Sequence, residues 1–328
     1  KLSVCYKWVC KYERNNFVAD TLIDWNLIEQ INIQTTEEQQ CPICLFPPIA
    51  AKLTRCGHVY CWPCILHYLA LSDKTWRKCP ICYEAVHSLD LKSTAIIQKS
   101  NFNVGNEISF QLMRRKKGSI VVEKANTKEK VLDKIPHLSE MDESRLFSKF
   151  LISDLDEILT IIEREKTELL FDNDPSCPEF IFIQQALDLL EQRKNEVLKN
   201  TDILKMHPKL EETLEENDGE RYYYFYQSID AQNIFLHPLN VKMLSSMYSS
   251  LSDAPDIIKG NILQKESQSM DDILRKKFTC LGHLPLTCQF EIVEIDIKPP
   301  YISKEIIEVF KGNFLFINIF LFFLFCFR

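Results

Sequence analysis

The alternation of apolar and polar residues predicts strands in three regions of the chain. Residues 106–126 (NEISFQLMRRKKGSIVVEKAN) place apolar runs on both sides of a basic turn, which predicts a hairpin with Gly118 at a position of positive φ. RYYYFYQ and NIFLHP, separated by SIDAQ, predict a second hairpin, and LPLTCQFEIVEIDI predicts a further strand region. We therefore expect a mixed β domain with a barrel-like sheet, assembled from segments before and after an insertion.

The insertion has the apolar spacing of two helices. Its apolar residues recur first at Leu151, Leu155, Ile158, Ile162 and Leu169, and then at Ile183, Leu187, Leu190 and Val197. DNDPSCPEF separates the two runs and cannot continue a helix, because it contains Pro175 and Pro178. The pattern favours an antiparallel helical hairpin, and coiled-coil pairing between chains is the alternative. NVKMLSSMYSSL and MDDILRKKF predict two short helices in the β domain, so the fold class is α+β.

Composition and charge exclude some classes of function. The 328 residues are 46% hydrophobic and 26% charged, which is ordinary for a soluble globular protein. The net charge of −7 gives no bulk attraction to nucleic acid or to anionic lipid, so no membrane partner is expected. Thirteen cysteines suit either disulfides outside the cell or metal inside it, and their positions decide between the two.

Seven of the thirteen cysteines lie between Cys41 and Cys82. CPIC occurs at 41–44 and again at 79–82, and its C-x2-C spacing lets two sulfurs face one zinc ion. The region supplies eight ligands, enough for two closed tetrahedral sites: Cys41, Cys44, Cys56, His58, Cys61, Cys64, Cys79 and Cys82. Gly57 suits a tight knuckle of positive φ. We expect two structural zinc ions, although spacing alone does not assign four ligands to each.

The order of the ligands resembles a RING finger of the C3HC4 type, whereas LIM and PHD domains place the histidine differently. The resemblance implies a cross-brace, with Cys41, Cys44, Cys61 and Cys64 on one zinc and Cys56, His58, Cys79 and Cys82 on the other. RING domains recruit a ubiquitin-conjugating enzyme that carries ubiquitin as a thioester. They act by positioning that thioester for attack by a substrate lysine, without covalent chemistry of their own.

The same resemblance implies a docking groove for the conjugating enzyme at Ile43, Tyr68 and Pro80, beside a central helix in CILHYLALS. The alternative is that Ile43 and Pro80 only shape the zinc knuckles. RING fingers often have a basic residue directly after the last ligand, where it bridges enzyme and ubiquitin. Tyr83 stands there in this chain and carries no charge, so we expect weaker transfer or help from another surface.

Three longer segments closely resemble the RING finger protein 10 family. They are CPICLFPPIAAKLTRCGHVYCWPCILHYLALSDKTWRKCPICYEAVHSLDLKS, RYYYFYQSIDAQNIFLHPLNVKML and HLPLTCQFEIVEIDIKPPYISKE, within about residues 20–310. The resemblance implies a cytoplasmic ubiquitin ligase that marks proteins of the small (40S) ribosomal subunit in ribosome quality control. Two alternatives stay open: a non-catalytic adaptor whose RING is a zinc-stabilised scaffold, and a protein whose whole function is to bind RNA or the ribosome.

Two further groups of residues have a structural and a functional interpretation. Arg114, Arg115, Lys116 and Lys117 suit contact with ribosomal RNA phosphates or a solvated hairpin tip. Cys280, His283 and Cys288 could suggest a third zinc ion, but the strand context favours buried apolar cysteines.

The predicted organisation has six segments. They are a lead-in at 1–38, the RING finger at 39–90, the two parts of the β domain at 91–135 and 206–311, the helical hairpin at 136–205, and an apolar tail at 312–328. The tail contains FLFINIFLFFLFCF, which is shorter than the roughly 18–20 residues that span a bilayer. We expect it to be translated intron sequence, with a truncated membrane anchor as the alternative.

Overall fold

Two six-stranded sheets organise the part of the chain that the computed structural model describes, residues 5–10, 18–126, 135–139, 143–171, 178–199 and 221–312. They belong to different compact units. The first unit contains the described residues of 1–17, 21–99 and 135–218, and the second contains those of 18–20, 100–134 and 219–328. Each unit has its own sheet and its own hydrophobic core.

The described residues form both strands and helices, as the predicted α+β class requires. The strands are β1 (Cys5–Cys10), β2 (Ile28–Thr35), β3 (Lys52–Leu53), β4 (Val59–Tyr60), β5 (Trp76–Lys78), β6 (Ala85–His87), β7 (Lys92–Gln98), β8 (Glu107–Lys116), β9 (Glu123–Lys124), β10 (Phe150–Ile152), β11 (Tyr222–Ser228), β12 (Ile234–Leu236), β13 (Ile257–Ser269) and β14 (Gln289–Ile295). The α-helices are α1 (Trp62–Ala70), α2 (Leu155–Phe171), α3 (Phe180–Lys199), α4 (Pro238–Tyr248), α5 (Asp272–Lys277) and α6 (Lys304–Gly312).

The sheet of the first unit has the order β10-β1-β2-β7-β3-β4, and β2 pairs with β7 in parallel. The predicted lead-in therefore contributes an inner strand, because Ile31 and Ile33 of β2 are buried against Leu53 and Val59. The predicted β domain starts at residue 91, whereas β7 belongs to this first sheet. The difference arises because β7 pairs along its length with β2, which lies far from it in sequence.

The sheet of the second unit has the order β11-β12-β14-β13-β8-β9, and β11 also pairs with β8. The hairpins predicted around Gly118 and around SIDAQ are present as the antiparallel pairs β8–β9 and β11–β12. Gly118 has a φ of 91°, as the tight turn requires. No predicted element corresponds to strand β13. Ile258 and Ile262 are its buried apolar residues and most of its other positions are exposed, so its sequence lacks the alternation that predicts a strand. The barrel-like form of this sheet stays a prediction.

Helix α2 begins later than its apolar pattern indicates. The pattern includes Leu151, but Leu151 lies in β10 and the helix starts at Leu155. A reciprocal cap fixes the start: the N–H of Glu157 donates to Oδ1 of Asp154 (2.9 Å), and the N–H of Asp154 donates to Oε2 of Glu157 (2.7 Å). Sequence periodicity alone did not reveal this stop between strand and helix.

Helices α2 and α3 bury the stripes that the spacing indicates. Ile158, Ile162 and Leu169 of α2 lie in one apolar cluster with Ile183 and Leu190 of α3. The antiparallel direction of the pair stays a prediction, since the residues between the helices, 172–177, lie outside the described part. The predicted apolar tail also lies outside it. Within the described ranges, no helix combines the length and the apolar character needed to cross a membrane.

Candidate metal centre

Each copy of CPIC folds into the same tight knuckle. In the first, the N–H of Leu45 donates to the carbonyl of Cys41 (2.8 Å), and the N–H of Cys41 donates to the carbonyl of Phe46 (2.8 Å). In the second, the N–H of Tyr83 donates to the carbonyl of Cys79 (3.0 Å). Leu45 and Tyr83 have φ values of 64° and 65°, a left-handed conformation that side chains seldom adopt. The positions after both C-x2-C pairs are therefore strained in the same way, which the sequence analysis missed.

The first zinc cluster consists of Cys41, Cys44, Cys61 and Cys64, whose sulfur atoms all lie within 4.8 Å of one another. Helix α1 begins directly after Cys61 and carries Cys64 in its first turn, so the helix delivers two of the four sulfurs. The N–H of Ile49 donates to Sγ of Cys61 (3.3 Å) and supports its negative charge. Hydrogen bonds from Cys61 and Cys64 hold the pKa of the Cys41 thiol far below its usual value.

The second zinc cluster consists of Cys56, His58, Cys79 and Cys82, and its ligand atoms also lie within 4.8 Å of one another. Nδ1 of His58 faces the sulfurs of Cys56 (3.4 Å) and Cys79 (3.5 Å), so Nδ1 is the ligand atom. Burial lowers the pKa of His58, which favours the neutral imidazole that a metal ion needs. Gly57 has the predicted positive φ of 86° between Cys56 and His58.

The geometry of both clusters fits zinc. Sulfurs bound at about 2.3 Å to a tetrahedral zinc lie about 3.8 Å apart. In the first cluster, Sγ of Cys44 lies 3.6 Å from Sγ of Cys61. In the second, the hydroxyl of Thr54 lies 3.0 Å from Sγ of Cys56 and gives the outer support typical of metal ligands. Each cluster supplies four protein ligands, so both ions are structural and the predicted cross-brace is confirmed.

The first zinc cluster belongs to the same apolar core as helices α2 and α3. Trp62, Ile65 and Leu66 of α1 share that core with Ile158 of α2 and Ala186 of α3. Because these side chains are almost fully excluded from water, zinc binding and helix packing stabilise one another.

A buried ionic network reinforces this core. Nζ of Lys52 lies 2.7 Å from Oε1 of Glu165, whose side chain has no exposed surface. Arg193 of α3 pairs with Glu29 (2.6 Å) and also lies 3.6 Å from Glu165. The hydroxyl of Ser93 accepts hydrogen bonds from both Lys52 (3.3 Å) and Arg193 (2.7 Å). The network thus joins β2, β3 and β7 to both helices.

Helix α1 makes two further side-chain contacts, one with strand β3 and one with the start of helix α3. Nζ of Lys52 lies 3.7 Å from the ring centroid of Trp62, and burial lowers the pKa of Lys52 to about 8. Nδ1 of His67, in the middle of α1, lies 3.0 Å from Oε2 of Glu179, and its ring stacks on that of Phe182 at 4.5 Å. These contacts connect the RING helix to the start of α3.

The residues predicted to dock a conjugating enzyme lie at the surface to different degrees. Ile43 is 39% exposed and Pro80 is exposed, whereas Tyr68 is half-buried. The hydroxyl of Tyr68 donates to the carbonyl of Lys78 (2.7 Å), and the guanidinium carbon of Arg77 lies 4.1 Å from the Tyr68 ring centroid. Tyr68 therefore has less free apolar surface than the sequence suggests, and docking at these residues stays a prediction.

Two exposed residues extend the predicted docking surface. Ile81 is 47% exposed inside the second knuckle, and Tyr83 is 71% exposed directly after the last zinc ligand. Ile81 occupies the same place in its CPIC as Ile43, so this internal repeat was the signal that could have revealed it.

One of the four basic residues at the predicted turn of the second unit is buried. Arg115 is 5% exposed, and its guanidinium donates to the carbonyls of Thr279 (2.6 Å) and Ser119 (2.6 Å). Arg114 pairs with Glu123 at 2.6 Å. The expectation that all four basic residues face solvent or RNA is therefore wrong for Arg115. Its guanidinium is buried and donates hydrogen bonds to backbone carbonyls of the protein itself.

His283 is buried and stacks on Phe225 at 5.4 Å. Cys280 and Cys288, which were expected to be buried, are half-buried, because Cys280 lies in a short 3-10 turn and Cys288 lies just before β14. Burial lowers its pKa to about 3, so this side chain is neutral. Burial also raises the pKa of Cys280.

The comparison with protein families agrees with this geometry. The model for the zinc finger of C3HC4 type, the RING finger, matches residues 41–82, which begin and end at the first and last ligands. The chain thus contains a C3HC4 RING finger.

Several curated proteins are similar to this chain. A protein of Schizosaccharomyces pombe called "Uncharacterized RING finger protein P8B7.23" is 23% identical over 92% of this chain and 52% of its own length. The "E3 ubiquitin-protein ligase MAG2" of Saccharomyces cerevisiae is 22% identical over 91% of this chain and 50% of its own length. The chain therefore spans about half the length of these relatives.

Another curated protein is similar over a shorter stretch. "E3 ubiquitin-protein ligase complex SLX5-SLX8 subunit SLX8" of Saccharomyces cerevisiae is 35% identical over 66 residues, which are 19% of this chain and 24% of that protein. The similarity to MAG2, in contrast, extends over both compact units. The chain is thus homologous to RING proteins named as ubiquitin ligases.

Proposed function

We propose that this protein is a RING-type E3 ubiquitin ligase that binds a ubiquitin-loaded conjugating enzyme. The observation that carries the proposal is a pair of closed Cys/His clusters with exposed apolar residues, Ile43 and Ile81, inside their knuckles. Two relatives with the words "E3 ubiquitin-protein ligase" in their names support it.

In this proposal the chain orients the reactants and forms no covalent bond with them. Both zinc ions have four protein ligands, so neither has a position at which to activate water. The knuckles of Ile43, Pro80 and Ile81 would hold the conjugating enzyme, and its thioester would be attacked by a substrate lysine. A rigid scaffold suits this task, because orientation of two reactants can supply much of a rate enhancement.

A transfer assay with purified, zinc-loaded protein and a panel of conjugating enzymes tests the proposal. We expect ubiquitin chains with at least one enzyme and their loss in Ile43→Ala, with two zinc ions per chain in both proteins. Leu89→Ala serves as the control, since Leu89 is 93% exposed and lies outside both knuckles. The absence of transfer from every enzyme, with zinc fully bound, would contradict the proposal.

We further propose that the protein acts in the cytoplasm on 40S ribosomal proteins, as the resemblance to the RING finger protein 10 family implies. Lys116 and Lys117 are the residues proposed to meet ribosomal RNA, because Arg115 donates to backbone carbonyls and Arg114 is paired with Glu123. Co-sedimentation with purified 40S subunits tests this step. We expect Lys116→Glu with Lys117→Glu to reduce binding, and unchanged sedimentation would remove the RNA contact from the proposal.

The second candidate is a zinc-stabilised adaptor without transfer activity. Tyr83 favours it, because this 71% exposed side chain offers one hydroxyl where a guanidinium could make several charged contacts. Binding of a conjugating enzyme without release of its ubiquitin would support the adaptor.

A further inference from the structure

A groove in the first unit lies beside the open edge of strand β7. It has a volume of about 960 Å³, and its walls come from the segment after the first knuckle, from β7 and from α2. Phe46 and Phe171 line it and are 69% and 91% exposed, so two large aromatic side chains stand at its rim. Its lining does not include Ile43, Tyr68 or Pro80.

The edge of β7 is covered along only part of its length. Strand β3 pairs with β7 at Lys92 and Ser93, and one more hydrogen bond runs from the N–H of Thr94 to the carbonyl of Ala51 (3.0 Å). Because alternate residues of a strand direct their backbone groups to the same side, the N–H and C=O of Ile96 also face this edge. No residue in the described ranges pairs with them.

This open edge defines the chemistry of an occupant. Unpaired backbone groups in a groove with apolar walls fit an extended peptide, which adds main-chain hydrogen bonds and inserts side chains into the groove. The short β3 already shows how a strand lies against β7, and an added strand would continue the sheet where the chain before Ala51 turns away.

The charged residues of the groove specify the occupant further. Arg164 lines it and makes no hydrogen bond within the described residues, although Glu168 lies 3.5 Å and Glu165 lies 3.9 Å from its guanidinium. Oε2 of Glu168 already accepts a hydrogen bond from the N–H of Ala50 (2.9 Å). Nε and Nη2 of Arg164 are buried without a hydrogen bond to the described part of the chain and the side chain is 31% exposed, so Nη1 is the nitrogen that a carboxylate can reach.

We propose that this groove binds an extended, apolar and acidic peptide segment of a partner protein. The segment adds to β7 at Ile96, packs apolar side chains against Phe46 and Phe171, and places an aspartate or glutamate at Arg164. This site is distinct in its residues from the proposed docking surface for the conjugating enzyme, and its test does not use ubiquitin transfer.

Selection of a random-peptide phage library on the zinc-loaded protein tests the proposal. We expect enriched peptides with alternating apolar residues and at least one acidic residue. Synthetic fluorescent copies should bind about tenfold more weakly to Phe46→Asp and to Phe171→Asp. Leu89→Asp should bind as the wild type does, since Leu89 is equally accessible but lies outside the groove.

Two readouts separate this binding mode from others. Hydrogen exchange of the Ile96 amide should slow when peptide binds, and Arg164→Gln should weaken acidic peptides but not copies with asparagine or glutamine. Failure to enrich peptides, equal binding by the groove variants, or unchanged exchange at Ile96 would overturn the proposal. Self-association lost in Phe171→Asp, without peptide binding, would overturn it in favour of a second copy.

Discussion

The two zinc clusters have similar ligands and different surroundings. The first is built from three buried cysteines and one half-buried cysteine, whereas the second includes the exposed Cys82. Both contribute to the apolar core of helices α2 and α3, the first through the buried Cys41, Cys61 and Cys64 and the second through the buried Cys79. In the second, the ligands lie next to the exposed Ile81 and Tyr83. The first cluster is thus buried more deeply in this core, and the second has more of its ligands and knuckle at the surface.

The largest expected effect comes from removing one ligand from each cluster in turn. Cys61→Ser should unfold much of the first unit, because a structural zinc contributes about 10–16 kcal/mol of apparent folding free energy, which is similar to the roughly 5–15 kcal/mol that stabilises a typical domain. Cys82→Ser should release one zinc and reduce the protection of α2 and α3 less, because Cys82 is exposed and Cys79 is the one fully buried ligand of its cluster. Zinc content and hydrogen exchange of both helices measure the difference.

Equal loss of helix protection in these two variants would break the comparison. It would mean that the second cluster stabilises the helices as strongly as the first does.

The next effect concerns the buried network. Glu165→Gln leaves Lys52 and Arg193 without their shared carboxylate, and removal of one partner from a buried ion pair costs about 3–5 kcal/mol. Glu163→Gln on the exposed side of the same helix is the matched control and should change little. Chemical denaturation followed by circular dichroism measures both, and similar midpoints for the two variants would contradict a stabilising network.

A pH effect sharpens this prediction. Burial lowers the pKa of Lys52 from 10.5 to about 8, so between these values the unfolded chain binds this proton more tightly than the folded chain. The free energy of unfolding should therefore rise through this group by about 2 kcal/mol between pH 7.5 and pH 9.5. Lys52→Met should lack that rise. Parallel pH curves for the two proteins would show that Lys52 does not titrate in this window.

The smallest effect concerns the surface of the second cluster. Tyr83→Arg adds a guanidinium at an exposed position whose left-handed φ is no harder for arginine than for tyrosine. One charge-assisted hydrogen bond to the bound complex should raise the rate of ubiquitin release several-fold. Discharge of the thioester to free lysine measures this, and an unchanged rate would mean that residue 83 does not face the transferred ubiquitin.

The sequence revealed the metal ligands because their spacing is short and each ligand type is chemically specific. It also revealed the hairpin around Gly118, where a basic turn separates two apolar runs. Strand β13 was missed because its partners, rather than its own mostly polar residues, make it a strand. The burial of Arg115 and of Glu165 was not predicted for a related reason: a buried charge is recognised by its partner, and Thr279 and Lys52 lie more than a hundred residues away.

The most direct test of the central claim is single-turnover discharge of ubiquitin from a conjugating enzyme. Wild type, Ile43→Ala and Leu89→Ala would be compared at equal zinc content. We predict rapid discharge with wild type and Leu89→Ala, and a rate near the enzyme-only background with Ile43→Ala. Discharge that is equal in all three proteins, or no faster than background with wild type, would contradict the proposal that this RING finger positions ubiquitin through its zinc knuckles.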